Sequence, residues 1–235
     1  MATHCARLWV QNAAVDLVLV GRDLSRLERV AQDLKARSSD LTVQTLTSSF
    51  TDASAIQALV TELAAQQVID VALIAHGSLG DQTESQNNLQ RCQQELETNG
   101  VSPVLFAEAF AQVMAKADHG TLAVIGSVAG DRGRKSNYVY GAAKGLVTRY
   151  VQGLQHRFAG TNVKVVLIKP GPTETPMTAA LAANGAKMAS VQEVAQGIVT
   201  AIEKGTPVAY VPGKWWLIMM VIRHLPRFIF NKMNI

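Results

Sequence analysis

Short apolar runs alternate along this chain with longer stretches whose apolar positions recur every three to four residues. The runs at 15–20, 41–46, 68–74, 121–125, 163–168 and 207–211 are rich in Val, Ile and Leu and predict strands. Helical periodicity covers 3–11, 24–37, 53–65, 84–115, 138–158 and 191–204. Most of the runs are apolar nearly throughout, as strands covered on both faces are. Strand and helix in strict alternation therefore predict an α/β fold around a parallel sheet. Ligands of such sheets sit beyond the carboxyl ends of the strands. Three segments follow strands and meet at that edge: Ala75-His76-Gly77, Gly126-Ser127 and Pro170-Gly171.

Length and composition narrow this further. A chain of 235 residues, 48% hydrophobic and 17% charged, predicts one globular domain with an ample core. Cys5 and Cys92 fit neither a disulfide framework nor a metal-ligand spacing; no metal is expected, both read as core thiols, and a reducing compartment fits. The start of the chain carries no apolar signal segment. Net charge is +4, and four cations, Lys214, Arg223, Arg227 and Lys232, lie in 214–235, which holds no acid. Removing those four from 22 basic residues leaves 18 against 18 acids, so the body is neutral and nucleic acid is not an expected partner.

The strongest chemical signal is Tyr140 and Lys144, which share a helix face at i and i+4, with Ser127 thirteen residues before the tyrosine. An ammonium beside a phenol favours phenolate, which lowers the phenol pKa and suits it to exchange protons with an alcohol or carbonyl oxygen. A serine hydroxyl at a strand end can hydrogen-bond the same oxygen. Asn99-Gly100 interrupts the long helix as a local kink, Asp23 reads as a helix N-cap, and His76 reads as a packed histidine.

Ser127, Tyr140 and Lys144 in this spacing, followed by Pro170-Gly171 and Thr175 after the next strand, resemble the short-chain dehydrogenase/reductase family over nearly the whole chain. The resemblance implies a Rossmann-type doubly wound sheet and an NAD(P)-dependent oxidoreductase acting on CH–OH groups. It implies Tyr140 as general acid/base and Ser127 as the group that polarises the carbonyl. Lys144 then tunes Tyr140 and binds the nicotinamide ribose, and Asn99 holds a water that relays protons to Lys144. Ala75, Gly77, Pro170, Gly171 and Thr175 line the cofactor, and small Gly141, Ala142 and Ala143 let it approach the helix. Arg22, where an acid would bind a ribose hydroxyl, favours NADP(H) over NAD(H). The segment from Gly126 to Arg134, Ala75-His76-Gly77 and the tail resemble one subgroup, reductases of the decaprenylphosphoryl-2-keto-ribose type, and imply a keto sugar on a polyprenyl phosphate as substrate.

Two departures accompany the resemblance. Family members open with a strand and a Gly-rich turn; here Met1, Ala2 and Thr3 align with the end of that turn, so the first strand has no counterpart. That strand would be central, and its loss would leave backbone groups unpaired. The expectation is a start upstream of Met1, with a truncated product as the alternative. At 74–77, Ile-Ala-His-Gly stands where relatives often carry Asn-Asn-Ala-Gly.

The domain is thus expected over 1–213 and an apolar, basic tail over 214–235. Trp215 to Ile222 are apolar without interruption, too few to span a bilayer, which takes about 20 residues. The tail reads either as an oligomer contact or as an interfacial segment. In the second reading Trp215 and Trp216 sit at headgroup level, and Phe228, Ile229 and Phe230 are buried in lipid. The residues 176–190 read as a substrate lid. The expected protein is a cytoplasmic homo-oligomer, peripheral at the inner membrane face, acting on a small-molecule or lipid-linked keto sugar. The competing expectation is a non-catalytic relative with a binding or oligomerisation role.

Overall fold

The computed structural model describes residues 1–13, 15–38, 41–179 and 187–233. Six strands alternate with helices: β1 (Asp16–Gly21), β2 (Thr42–Thr47), β3 (Val71–Ile74), β4 (Thr121–Ile125), β5 (Lys164–Pro170) and β6 (Val208–Val211). The helices are α1 (Ala2–Asn12), α2 (Leu24–Lys35), α3 (Ala53–Gln66), α4 (Gln82–Asn87), α5 (Leu89–Leu96), α6 (Ser102–Ala117), α7 (Tyr138–Arg157), α8 (Val191–Glu203), α9 (Lys214–His224) and α10 (Arg227–Phe230). Polar side chains at the helix starts satisfy free backbone N–H groups. Asp23 accepts from Arg26, Asp52 from Ser54 and Ala55, and Ser190 from Glu193.

Every strand pair is parallel. The order is β2-β1 in one piece and β3-β4-β5-β6 in another, and among the described residues no ladder joins β1 to β3. Helix α1 bridges the two pieces. Its Cys5 lies in the core beneath β4, β5 and α8, while Ala6 and Val10 pack with Leu34 over Leu17 and Leu19 of β1. The opposite face is covered by α3, α6 and α7 through Val60, Phe106, Met114, Val147 and Val151. Register aligns the strand ends, with Ile125 opposite Ile168 and Pro170 opposite Val211, so the segments beyond them share one edge.

The expected helix over 84–115 is instead α4, α5, a π-turn (Glu97–Val101) and α6. Asn88 ends the first piece and caps the second, accepting from Gln90 and Arg91. The strand expected from 68 begins only at Val71. Cys5 is a core thiol, but Cys92 is only half-buried on α5. The expected lid overlaps residues 180–186, which lie outside those described.

Candidate active site

The site is built where β4 ends. The Gly126 N–H donates to the Ile168 carbonyl at 2.7 Å, which fixes the exit from the strand. Ser127 then starts a tight turn (Val128–Asp131), its Oγ accepting the Ala129 N–H at 3.1 Å. This turn lies directly on α7. A Cβ on Gly130 would stand 2.6 Å from the Lys144 carbonyl oxygen, and one on Gly141 3.1 Å from the Ala129 oxygen. Glycine at both positions lets backbone meet backbone, which brings the turn that begins at Ser127 against the start of α7, where Tyr140 stands.

Lys144 is buried, its Nζ donating to the Ile125 carbonyl at 3.0 Å and standing 5.9 Å from the centre of the Tyr140 ring. Burial pulls its pKa down to about 8. The expected lowering of the Tyr140 pKa is corrected here: burial raises it, the Ser127 hydrogen bond opposes that, and the Glu95 carboxylate adds to the rise. Desolvation of a phenolate dominates, and the Lys144 ammonium donates instead to a backbone carbonyl.

Asn99 and Gly100 sit in the π-turn, and a Cβ on Gly100 would lie 3.2 Å from the Ala143 backbone. The kink expected at this pair is thus a π-bulge seated on α7. Asn99 is fully buried. Its Oδ1 accepts the Ser78 N–H at 2.8 Å and its Nδ2 donates to Glu95 at 2.8 Å. A Cβ on Gly77 would be 2.9 Å from Asn99 Oδ1 and 3.7 Å from Lys144 Nζ, so these three residues meet. Small Gly141 and Ala143 serve these internal contacts, and Ala142 alone of the three is exposed.

Beyond β1, Gly21, Arg22, Asp23, Arg26 and Leu27 face Phe50 and His76 across a cavity of about 550 Å³. His76 stacks edge-on against Phe50 and Phe106 and its Nε2 pairs with Ser102 Oγ at 2.8 Å. Its pKa is pushed down to about 4, mainly by burial, with Lys144 and Arg22 adding to it. Ala75 and Gly77 leave β3 between this cavity and Lys144. On the far side, Pro170 ends β5 and Gly171 follows it, and Thr175 is engaged by Thr178, whose hydroxyl accepts its N–H at 3.1 Å.

A family model for short chain dehydrogenases matches residues 2–186, well over half the chain. The chain belongs to the short-chain dehydrogenase/reductase family. Among its relatives, an uncharacterised oxidoreductase of Mycobacterium tuberculosis strain H37Rv is 30% identical over 222 residues, 94% of this chain and 88% of the relative. An uncharacterised oxidoreductase of Streptomyces coelicolor is 28% identical over 229 residues, 97% and 89% of the two chains. A short-chain dehydrogenase from Sphingobium yanoikuyae in complex with NADPH superposes with a TM-score of 0.77 at 21% identity, covering 99% of this chain and 91% of that one. A short-chain dehydrogenase/reductase from Mycobacterium ulcerans gives 0.80 at 17%, covering 98% and 93%.

This short-chain dehydrogenase carries three features that sequence reasoning missed. Glu95 reaches the site by standing one helical turn before Asn99, a spacing visible in the chain but uninformative without the π-turn. Arg26 joins Arg22 at the cavity from the first turn of α2. The tail, expected as an appendage, is a pair of helices packed on the site. Trp215 lies over Gly171, where a Cβ would fall 1.9 Å from its Nε1, and Phe230 is covered by Arg132. Both aromatics are half-buried against the domain, whereas Trp216, Leu217, Val221 and Phe228 are exposed. Among the described residues no helix is long and apolar enough to cross a membrane, and no group of three or more His, Cys, Asp or Glu stands ready to hold a metal.

Proposed function

We propose that this chain is an NADP(H)-dependent oxidoreductase that interconverts a carbonyl and a secondary alcohol, working as a reductase of a polyprenyl-phosphate-linked keto sugar. The reaction class rests on one observation: Ser127, at the end of β4, and Tyr140, on α7, stand together at the sheet edge, with the buried Lys144 Nζ 5.9 Å from the Tyr140 ring centre. Ser127 holds the substrate oxygen and stabilises charge on it. Tyr140 gives that oxygen its proton in reduction and takes it back in oxidation. Its raised pKa keeps the phenol protonated, as a donor needs. Lys144 restores the proton, and a titration near pH 8 suits it to that work. Asn99 holds the π-turn from which a water chain reaches Lys144. Glu95 fixes the Asn99 amide.

The residues present fit a dinucleotide. The cavity beyond β1 is lined by two arginines, Arg22 and Arg26, which suit a phosphate-bearing group. Arg22 and Arg26 would hold a 2′-phosphate, Ala75 and Gly77 the adenosine side, Lys144 and Tyr140 the nicotinamide ribose, and Pro170, Gly171 and Thr175 the carboxamide. Bound there, the nicotinamide supplies the hydride. The NADPH bound by the Sphingobium relative supports this choice of cofactor.

The lipid-linked substrate is supported by the tail. Trp216, Leu217, Val221 and Phe228 present an apolar face, and Lys214, Arg223, Arg227 and Lys232 stand among them without an acid. That pairing suits an anionic membrane surface at the cytoplasmic face. Exposed Leu89, Leu96, Val101 and Leu146, on neighbouring α5, π-turn and α7, support a homo-oligomer.

The test is NADPH oxidation with a polyprenyl-phosphate keto pentose in anionic vesicles, beside the free keto sugar and beside neutral vesicles. Turnover of the lipid-linked form that depends on anionic lipid supports the proposal. Turnover of the free sugar alone removes the lipid-linked substrate. No NADPH binding by the folded protein removes the reductase.

A further inference from the structure

We propose that Arg132 is a positioning residue that ties the C-terminal helices to the loop carrying Ser127, making α9 and α10 part of the catalytic framework. The role in turnover rests on the reductase reading above; the mechanical link does not.

Arg132 Nη1 donates to the carbonyls of Ile222 at 2.6 Å and Leu225 at 2.7 Å. These belong to the last turn and the C-cap of α9, where carbonyls lack partners within the helix and a cation is favoured. The same guanidinium lies 3.7 Å from the centre of the Phe230 ring on α10. One planar cation thus closes α9 and seats α10, which an ammonium cannot do with the same geometry.

The residue beside it is held at least as firmly. Asp131 forms an ion pair with Lys169, their side chains 2% and 4% exposed, and accepts the Tyr210 hydroxyl at 2.8 Å. Lys169 immediately precedes Pro170-Gly171, and Tyr210 belongs to β6, which leads into α9. Two residues further on, Arg134 Nη2 contacts the sulfur of fully buried Met219 on α9 at 3.5 Å. Trp215 rests on Gly171. The tail therefore touches both segments that flank the reacting groups: the turn after Ser127 and the turn after β5.

The turn is short, so a displacement at Arg132 reaches Ser127. Its two internal bonds, Ala129 N–H to Ser127 Oγ and Gly130 N–H to the Ser127 carbonyl at 3.1 Å, both converge on the serine. Loosening the clamp tilts this turn on α7 and moves the hydroxyl away from Tyr140.

The experiment compares Arg132→Ala, Arg132→Lys and the milder Phe230→Leu with the full-length parent. Amide hydrogen exchange is followed over 127–132 and 214–230, and NADPH-dependent reduction of 2,3-butanedione is followed with and without added guanidinium ion. Arg132→Ala is expected to lose protection in both segments together by about tenfold or more, while β4 and the body of α7 keep theirs. Its kcat is expected to fall by about tenfold or more, with the KM for NADPH within about twofold. Guanidinium should restore part of that kcat and of the protection, and Arg132→Lys should behave like the alanine variant. Phe230→Leu, which keeps both carbonyl bonds, should give a smaller loss in the same two segments. The proposal is overturned if the tail frays while 127–131 keeps its protection, or if kcat is unchanged once the clamp is lost. Absence of any carbonyl turnover by the parent counts against the reductase reading, and the exchange data still decide the clamp.

Discussion

The two pieces of the sheet are made of the same element, a parallel strand followed by a helix, yet they are packed differently. In β4 and β5 all residues but the first are fully buried, and they carry the turns that hold Ser127 and Pro170-Gly171. In β1 and β2 no residue is fully buried. The difference follows from neighbours. β4 lies between β3 and β5, whereas among the described residues β1 pairs on one edge only and leans on α1 and α2. Stability is therefore distributed unevenly, and the residues proposed to handle protons stand on the rigid side. The arginines proposed to recognise the cofactor phosphate stand on the looser side, at the end of β1. A fixed scaffold suits groups that must meet a reacting atom within tenths of an ångström, while a charged contact to a phosphate tolerates more movement.

The largest effect expected from breaking this arrangement is chemical. Tyr140→Phe removes the hydroxyl from the rigid side without opening a cavity and should lower kcat by about a hundredfold to ten-thousandfold, leaving NADPH affinity and melting temperature near those of the parent. A variant that keeps more than about a tenth of parental turnover would show that another group is the proton donor. Packing comes next. Leu167→Ala in β5, where the side chain is fully buried, should cost about 3–5 kcal/mol in urea unfolding, against about 1–2 kcal/mol for Leu17→Ala in β1, which is only partly buried. Equal costs would mean the two pieces are equally consolidated, and the contrast would fail.

Much of this was legible in the chain. Apolar runs identify every strand to within a few residues, and those of β4 and β5 are continuous because both faces of these strands are buried. Tyr140, Lys144 and Ser127 were legible because helix spacing is fixed and the strand-to-helix turn is short. What was not legible depends on desolvation and on contacts between distant segments. Periodicity alone predicts a single helix through Asn99, since a π-turn costs one residue of register and leaves no apolar signature. The direction of the Tyr140 shift depends on how deeply the phenol is buried, which spacing does not reveal. The contacts of Trp215 with Gly171 and of Phe230 with Arg132 join segments far apart in the chain, and nothing local marks them. Asp131 and Lys169 lie 38 residues apart, and nothing local marks them as a buried pair.

His76 sharpens the comparison at the seam, where β3 faces the end of β1. Its folded pKa is about 4 against an ordinary value of 6.5, so the unfolded chain binds the proton more readily. The stability tied to neutral His76 is complete above the unfolded value and is lost as pH falls from 6.5 towards about 4. The full loss is on the order of 3 kcal/mol. Urea unfolding of the parent and of His76→Gln between pH 7.5 and 4.5 isolates this contribution, because other acids titrate alike in both. Parallel curves for the two proteins would mean that His76 is hydrated, and that the seam is open to water.

The smallest expected effect is on cofactor choice. Arg22 is exposed and Arg26 lines the same cavity, so the site presents two guanidiniums on the looser side of the molecule. A guanidinium meeting a phosphate makes charge-assisted, often bidentate bonds. In an exposed position part of that gain is screened, so Arg22→Asp should weaken NADPH binding by about tenfold to thirtyfold. The introduced carboxylate repels a 2′-phosphate and accepts from ribose hydroxyls, so NADH should bind more tightly and the preference should reverse. Arg26→Gln alone should weaken NADPH less, because its guanidinium is already shared with Asp23 at 3.3 Å. Tryptophan fluorescence titrations with both cofactors, at low and high salt, measure each step. An NADPH preference that survives Arg22→Asp, or affinities for both cofactors that ignore salt, would place phosphate recognition away from the end of β1 and would remove the division of labour between the two pieces of the sheet.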